Sequence, residues 1–417
     1  MNITKKNKIT NLEMILFVIG IVLQCFSITQ VGGSGIPFLF CICLMIYIKH
    51  RLYSKINMFF TMIITLMLIR VTTDILFIGS PMFSIVRLVM IIFIIYVSFK
   101  YIEIIYREDR QGTFYKIYMI VFILLNLYGI YSIFSKKFNL PLFMNIFINN
   151  PSYAVKENMF TYVSGWVQDM RIYATFSEPS FYAFFLCMNL LIVKNINTKL
   201  INKIIINILI IINLYSTYSR SGYVMYIQLI VIMVVYKSVS KLLKSRKYTY
   251  NILLIIVLLI PFINLGIMDF ANRNVFNDLS SESRTKSGIY YLKESLKDTK
   301  SITIGHGYKS ISLGYNYILK NDDIEGFAHN AYIEIIYELG WIFFLILMGI
   351  IVFFINKNIK LHEYRLQIFA IIATMSSSVA FYNIESIISL LVVFIGSAVN
   401  SRYKKFNITN EIKSEGE

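Results

Sequence analysis

One short polar stretch combines an arginine and a glutamate, the residue types used for anion binding and proton transfer. In RIYATFSEP, Arg171 precedes Glu178 and Pro179. A guanidinium can hold a phosphate or carboxylate through two parallel hydrogen bonds, and a carboxylate can take a proton from a reacting hydroxyl. Proline suits the first turn of a helix, so Pro179 predicts a helix start. Glu178 is therefore either a base or the ion-pair partner of Arg171 beside a helix cap.

Two further arginines are candidate functional residues. One lies between two apolar runs, and the other lies in a long polar stretch. Arg220 belongs to YSRSG, a polar break between two apolar runs. A charge this close to hydrocarbon is costly without a partner, so Arg220 is a candidate for function. The alternative is an interfacial arginine whose side chain reaches out to the lipid headgroups. Arg284 follows Ser283 near the start of the polar stretch 269–330, and alone it is a weak candidate among that stretch's other basic residues.

Two histidines in the same polar stretch are candidates for proton transfer. His329 and Asn330 end the stretch where an apolar run begins. Histidine titrates near neutral pH, although Asn330 is also a favoured helix N-cap and the pair has that structural alternative. Gly305 and Gly307 flank His306 in a predicted turn with backbone freedom. We rank His306 below His329, because the sequence places no helix beside it to fix its position.

Four charged residues fall inside apolar runs, namely Arg70, Asp74, Arg87 and Glu385. Arg70 and Asp74 are four residues apart, so they share a helix face and can neutralise each other. A structural network of ion pairs is one interpretation of the four. A substrate or proton pathway through the membrane is the other.

The elements that must position these residues are membrane helices. Hydrophobic residues make up 57% of the chain and charged residues 15%, against about 25% charged in soluble proteins. Repeated apolar runs predict an all-α polytopic membrane protein, one domain over residues 1–417, with about twelve transmembrane helices. We place these helices at residues 12–29, 35–48, 56–78, 81–99, 117–134, 179–193, 204–218, 222–236, 251–268, 331–355, 366–381 and 384–400. Within the polar stretch, residues 287–300 predict one further helix, which lies on the surface.

The basic residues indicate the sidedness of the chain. The 40 lysines and arginines outnumber 23 acidic residues, and the excess lies in short connections on one side. The positive-inside rule makes that side cytoplasmic, together with both termini and the tail 401–417. The long connections 135–178 and 269–330 then lie outside the cytoplasm. The net charge of +17 is thus a topology signal and a contact with anionic lipid, so nucleic acid is not a predicted partner.

Several chemistries have no support in the sequence. The chain contains no Walker loop, GxSxG motif or Asp-x-Asp pair. Its cysteines lie in apolar runs and suit neither a disulfide framework nor a zinc site; they are Cys25, Cys41, Cys43 and Cys187. We predict no metal and no cofactor. Clustered arginines can hold a lipid diphosphate electrostatically without a metal, so a donor that carries its own leaving group fits these residues.

Taken in order, these motifs resemble a known family. The order is R-x(6)-EP, SRSG, an arginine that opens a long outer loop, a GxG turn, and HN-x-Y followed by ELG. It resembles the bacterial O-antigen polymerase and O-antigen ligase superfamily, which includes the Wzy polymerases of capsule and exopolysaccharide clusters, over about residues 160–355. The resemblance implies a membrane glycosyltransferase of GT-C-like architecture with a large extracytoplasmic loop. It also implies undecaprenyl diphosphate-linked sugars as substrates and catalysis without a metal.

The resemblance also assigns roles to individual residues. It implies catalytic roles for His329, Glu178, Arg284 and Arg220. It implies substrate binding by Arg171, Arg220, Arg284, Gly305, Gly307 and Asn330. The family pattern has glycine or serine where this chain has Ala174, which leaves the turn geometry there as an open question.

We therefore expect a polymerase that joins lipid-linked oligosaccharide repeat units on the outer face of a bacterial cytoplasmic (inner) membrane. The Glu178-Pro179 pair favours polymerase over the nearest alternative, a ligase that moves finished glycan to a lipid or protein acceptor. A transporter or lipid-glycan flippase is the second alternative, which the charges inside apolar runs would suit. Expected partners are the bilayer, undecaprenyl diphosphate-linked oligosaccharides, and a chain-length regulator and flippase of the same pathway.

Overall fold

The structure is a computed structural model. It describes residues 8–23, 26–31, 34–52, 65–66, 68–70, 72–73, 76, 82–138, 140–141, 171–176, 179–196, 199–242, 251, 255, 259, 279–307, 310, 328, 330–359, 362–374 and 385–400. Most of the predicted helices 56–78 and 251–268 lie outside these described residues. Arg70 is one of the described residues of 56–78, and it is helical.

Helices dominate the described residues. In chain order they are α1 (Asn11–Val22), α2 (Phe38–His50), α3 (Met82–Arg107), α4 (Gln111–Phe138), α5 (Pro179–Asn195), α6 (Leu200–Ser216), α7 (Arg220–Leu242), α8 (Leu279–Glu294), α9 (Thr299–Thr303), α10 (Ala331–Leu339), α11 (Trp341–Asn358), α12 (His362–Thr374) and α13 (Glu385–Asn400). The all-α membrane class is confirmed, while the count of twelve spans and the GT-C-like architecture stay predictions.

Four of these helices contain stretches long and apolar enough to cross a bilayer: Val89–Arg107, Gln111–Ser135, Ser221–Val239 and Trp341–Asn358. Shorter apolar helices accompany them. Many apolar side chains on the bundle surface are exposed, such as Leu200 at 73%. Such faces suit lipid contact, because hydrocarbon tails solvate them as well as a protein interior does.

Helix α5 lies at the centre of the bundle. Almost all of its side chains are buried, and it packs against α6, α7 and α13. It begins at Pro179, as the sequence predicts, because a proline at the first helical position gives up no helical hydrogen bond. This helix therefore fixes the position of the segment that precedes it, which carries Arg171.

The first predicted helix is too long at its carboxyl end. Helix α1 ends at Val22, and residues that were assigned to it form the strand β1 (Ser27–Val31). This strand pairs antiparallel with β2 (Ser34–Pro37). In the sequence, Gly32 and Gly33 separate the two strands, and such a pair disfavours a continuous helix, since glycine weakens a helix.

The predicted helix 331–355 is in fact two helices, α10 and α11. They meet at Gly340, whose φ is +84°. A Cβ atom there would lie 2.7 Å from the carbonyl oxygen of Thr303. A close backbone approach therefore ends α10 at this point, and the stretch long enough to cross a bilayer begins after it, at Trp341.

The connections that we assign to one side of the membrane do meet at one end of the bundle. The amide of Ile9 donates to the Glu108 carboxylate at 3.1 Å. The carboxylate of Glu13, only 2% exposed, pairs with Lys49 and His50. This end, defined by these five residues, is called the basic end below.

Later connections reach the same end. One small cavity is lined by Tyr106, Asn195, Tyr364 and Ser397, among others, and the Asn195 amide donates to Gln367 at 2.9 Å. Among the described residues, the short connections near Ile9, Lys49, Glu108, Asn195 and Tyr364 thus lie at one end, as predicted. Which end faces the cytoplasm stays a prediction.

Candidate functional site

The Arg171 segment is hydrogen-bonded to the connection that carries Arg220. The amide of Ile172 donates to the Ser216 carbonyl at 3.1 Å, and Arg171 Nε donates to the Thr217 carbonyl at 3.2 Å. Two stretches that are separate in the sequence are thereby joined at one edge of the bundle. The name loop end is used below for this edge, residues 171–174 and 216–222, together with α8, α9, the Gly305–Gly307 turn and α10.

The YSRSG stretch forms the start of α7. Ser219 Oγ accepts a hydrogen bond from the Gly222 amide at 3.2 Å and lies 3.0 Å from Ser221 Oγ. This bond satisfies an amide at the helix amino end that has no helical partner. Arg220 is the first residue of the helix, so its backbone lies where the helix dipole favours an anion.

Gly222 has a separate packing role in the same stretch. A Cβ atom at this position would lie 2.5 Å from the Cβ of Ala183 in α5. The two helices therefore approach each other more closely than a side chain at this point allows. The motif SRSG thus combines a cap, a charge at the helix start and a close helix contact.

Both of the joined segments contain a left-handed residue that is not glycine. Ala174 has φ +47° and Tyr218 has φ +46°. An L-residue is disfavoured in this region, whereas glycine enters it without a steric cost. A glycine at the position of Ala174, one of the two residues in the family pattern, would adopt this conformation without that cost. Strain of this kind concentrates at functional sites.

The helical part of the long loop is two helices rather than the single one predicted over 287–300. Helix α8 begins earlier, at Leu279, carries Arg284, and ends at Glu294. Helix α9 then starts after Asp298, whose carboxylate accepts from the Ser301 amide at 2.7 Å. That hydrogen bond lowers the pKa of Asp298. The cap explains the break, because aspartate favours the position just before a helix.

Helix α8 packs against α10 through aromatic side chains. The rings of Tyr291 and Tyr337 make an edge-on contact with centroids 4.9 Å apart. Trp341 Nε1 donates to Ser295 Oγ at 3.2 Å just beyond α8. The helix that carries Arg284 therefore lies against the helix that follows His329.

The Gly305–Gly307 turn has the backbone freedom that the sequence predicts. The φ angles are +73° and +102°. A Cβ atom on Gly305 would lie 2.5 Å from the Gly340 amide nitrogen. The Gly305 amide donates to Lys300 at 3.1 Å and that of Gly307 to Glu338 at 2.9 Å. Since both amides are already used within the protein, these glycines shape the loop rather than offer amides to a phosphate.

The reason for ranking His306 below His329 is wrong, because a helix does hold His306. Its ring stacks on Tyr337 with centroids 4.1 Å apart, and its amide donates to the Tyr337 carbonyl at 2.9 Å. Its Nε2 is buried with no hydrogen-bond partner among the described residues. Loss of solvation lowers its pKa, against the opposing effect of a hydrogen bond to the Glu294 backbone. His306 is therefore a neutral imidazole at pH 7.

Asn330 is the N-cap of α10. Its side-chain oxygen accepts from the amides of Tyr332 at 3.1 Å and Ile333 at 3.4 Å, and the residue is 2% exposed. This geometry is the capping alternative considered from sequence. Substrate binding by Asn330 stays a prediction. His329 and Glu178 lie outside the described residues, as do the side chains of Arg220 and Arg284.

Arg70 was predicted to pair with Asp74, which lies outside the described residues. The structure places its guanidinium against main-chain carbonyls at the loop end. It donates to Glu338 at 3.0 Å, to Leu339 at 3.1 Å and to Ile304. Sequence reasoning missed this arrangement, because its partners lie more than 200 residues away along the chain.

Residues 205–348 match the family model described as O-antigen ligase. This part of the chain is therefore similar to the O-antigen ligase family. The match confirms the resemblance drawn from the motifs. No curated protein and no solved structure matches the chain.

The matched region, residues 205–348, is called the O-antigen ligase domain below. It runs from α6 into α11 and so contains most of the loop end. It includes the YSRSG turn, α8, the Gly305–Gly307 turn and α10. The Arg171 segment and Arg70 lie outside it and are joined to it by hydrogen bonds. Members of this superfamily are membrane enzymes that transfer glycans. In the described ranges no group of three or more His, Cys, Asp or Glu side chains is placed to hold a metal ion.

Proposed function

We propose that this protein is a polysaccharide polymerase. It joins undecaprenyl diphosphate-linked oligosaccharide repeat units on the outer face of a bacterial cytoplasmic membrane. The observation that carries the proposal is the pairing of the arginine-bearing elements at the loop end. Hydrogen bonds join the Arg171 segment to the connection before Arg220, and α8 with Arg284 packs against α10, which follows His329.

Helix α12 links the two pairs. It packs against α7, which begins at Arg220. Its Ile372 carbonyl accepts a hydrogen bond from the buried Tyr332 hydroxyl of α10 at 2.9 Å. The elements that carry the proposed catalytic residues are therefore held by one packed set of helices, as a site needs for a fixed geometry.

In the proposed reaction a hydroxyl oxygen of one lipid-linked repeat unit attacks the anomeric carbon of a second. The bond between that carbon and the diphosphate oxygen breaks, and undecaprenyl diphosphate leaves. Arg220 at the amino end of α7 and Arg284 on α8 hold the diphosphate and stabilise its growing charge. In this scheme the two arginines supply the positive charge that the leaving group requires, without a metal.

The proton of the attacking hydroxyl needs an acceptor. His329 or Glu178 takes it in this proposal, and the half-buried His306, whose pKa is lowered by loss of solvation, joins them as a third candidate. Arg171 Nε is bonded to the Thr217 carbonyl, and this bond sets the plane of the guanidinium. Arg171 then orients Glu178 or holds the phosphate of the acceptor.

A ligase is the second candidate, because the family model that matches is described as O-antigen ligase. Such an enzyme uses the same donor and the same leaving group but passes finished glycan to a lipid or protein acceptor. A transporter has less support, since Arg70, one of the charges that suggested it, donates to backbone carbonyls. Lipid-linked glycans and the bilayer remain the proposed partners, with a chain-length regulator and a flippase of the same pathway.

Purified protein in lipid nanodiscs, supplied with lipid-linked repeat units, tests the proposal. A ladder of lipid-linked products with increasing repeat number is the expected result. Transfer of preformed glycan to a lipid or protein acceptor, without a ladder, favours the ligase. Movement of the lipid-linked unit across sealed vesicles without any elongation contradicts both.

A further inference from the structure

Arg70 is a buried arginine whose guanidinium binds main-chain carbonyls from two segments of the loop end. The residue is 3% exposed. Nη2 donates to Glu338 at 3.0 Å, and Nη1 donates to Leu339 at 3.1 Å and also to Ile304. One planar group thereby joins the segment before Gly305 to the carboxyl end of α10.

These carbonyls need donors from elsewhere in the chain. The last carbonyls of a helix have no helical amide partner, and the helix dipole makes this end favourable for a cation. Glu338 and Leu339 are the last two residues of α10. A guanidinium suits them better than an ammonium, because its donors point along fixed directions and can bridge several acceptors at once.

The carbonyls lie at the base of the loop that contains His329. On one side of that base, His306 and Gly307 donate to the carbonyls of Tyr337 and Glu338, both at 2.9 Å. These bonds bring the two ends of the intervening segment 308–336 together. Because the Gly307 amide is hydrogen-bonded to the Glu338 carbonyl, a shift of this carbonyl also shifts the turn at Gly307.

Glycines make this closure tight. The backbones at Gly305 and Gly340 approach so closely that a Cβ on either would lie within 2.7 Å of a main-chain atom of the opposite segment. The two backbone segments are therefore too close for a side chain to lie between them at this point. Arg70, which belongs to neither segment, donates three hydrogen bonds that hold the two segments together.

We propose that Arg70 is a positioning residue that keeps the base closed, meaning that it holds the Gly305–Gly307 turn against the carboxyl end of α10. It acts from outside the O-antigen ligase domain and thereby sets the position of His306. The activity part of this inference rests on the proposed function. The structural part, closure of the base, does not.

The test uses the full-length protein in nanodiscs with Arg70→Met, which removes all the donors, and Arg70→Lys, which keeps the charge. Arg365→Met is the matched control. Arg365 also donates to carbonyls near a helix end, to Asn356 at 2.7 Å and to Ile359, but away from the loop end. Hydrogen–deuterium exchange is measured at the amides of His306 and Gly307 and across α5.

Arg70→Met is expected to speed exchange at the His306 and Gly307 amides and to leave α5 protected. It lowers kcat by about 100-fold, as expected for a misplacement of order 1 Å, with KM changed less than about twofold. Arg70→Lys falls between Met and wild type in both measurements. Arg365→Met changes neither.

Two outcomes overturn the inference. Lost activity with unchanged exchange at these two amides means that Arg70 acts on substrate, not on the loop. Faster exchange throughout α5 in both Arg70 variants means a general structural role. If wild-type protein forms no polymer, the proposed function fails while the exchange comparison still tests closure of the base.

Discussion

The two ends of the bundle are fastened by different chemistry. At the basic end, the buried carboxylate of Glu13 pairs with the ammonium group of Lys49 and lies against the imidazole of His50. At the loop end, Arg70 and Arg171 donate to main-chain carbonyls. The basic end is thus held by contacts between side chains, whereas at the loop end two arginine side chains hold the backbone of other segments.

The largest expected effect is on activity at the loop end. Arg220→Ala removes a charge from the amino end of α7, and we expect the rate of polymerisation to fall by about 100-fold or more, as when one donor to a developing anion is lost. The thermal unfolding midpoint changes little, since the helix cap is provided by Ser219. Rates measured with lipid-linked repeat units check this. A rate within threefold of wild type contradicts the role of Arg220.

The basic end is expected to respond in the opposite way. Glu13→Ala removes a buried carboxylate that pairs with Lys49 and contacts His50, and we expect this loss to cost about 3 kcal/mol of stability. Activity per folded molecule is unchanged, because Glu13 lies at the end away from the proposed site. Thermal unfolding in detergent, read beside the polymerisation rate, checks both parts. The matched surface control is Glu294→Ala, whose pairing with Lys297 is exposed.

His306 predicts a dependence of stability on pH. Its pKa in the folded protein is lowered from 6.5 by burial, so the unfolded chain binds a proton more readily than the folded one. The stabilisation from neutral His306 is present above pH 6.5 and is lost as the pH falls through the lower, folded pKa. The difference in unfolding midpoint between wild type and His306→Gln should therefore shrink between pH 7.5 and 5.

A difference between wild type and His306→Gln that stays constant across the range would show that His306 does not titrate as described.

The smallest expected effect concerns the left-handed turn beside Arg171. A left-handed φ at an alanine lowers stability by roughly 1–2 kcal/mol. Glycine removes this cost, but its greater freedom in the unfolded chain lowers stability by about 0.5–1 kcal/mol. Ala174→Gly should therefore raise stability by up to about 1 kcal/mol, seen as a small rise in the unfolding midpoint. A clear fall would mean that packing of the buried methyl group outweighs the strain.

Local chemistry explains how much of this arrangement could be predicted. Pro179 begins α5, Asn330 caps α10, and the glycines around His306 form a turn, because each depends on residues within one turn of itself. The motifs at the loop end were sufficient to indicate the superfamily. Amphipathic and apolar patterns located most helices to within several residues.

Long-range contacts explain the rest. The run 331–355 is apolar apart from Glu334 and Glu338, and its break at Gly340 depends on the close approach of the distant Thr303. The partners of Arg70 lie on segments far away in the sequence, so a nearby Asp74 was the expected partner instead. His306 was ranked low because the helix that fixes it comes thirty residues later in the chain.

The central claim is that the loop end transfers glycan from one lipid diphosphate to another. The most direct measurement is the amount of undecaprenyl diphosphate released per new glycosidic linkage by purified wild-type protein. The account predicts one molecule released for each linkage, together with lipid-linked products of increasing length, and loss of both in Arg220→Ala. Elongation without release of undecaprenyl diphosphate, or release that is unaffected in that variant, would contradict it.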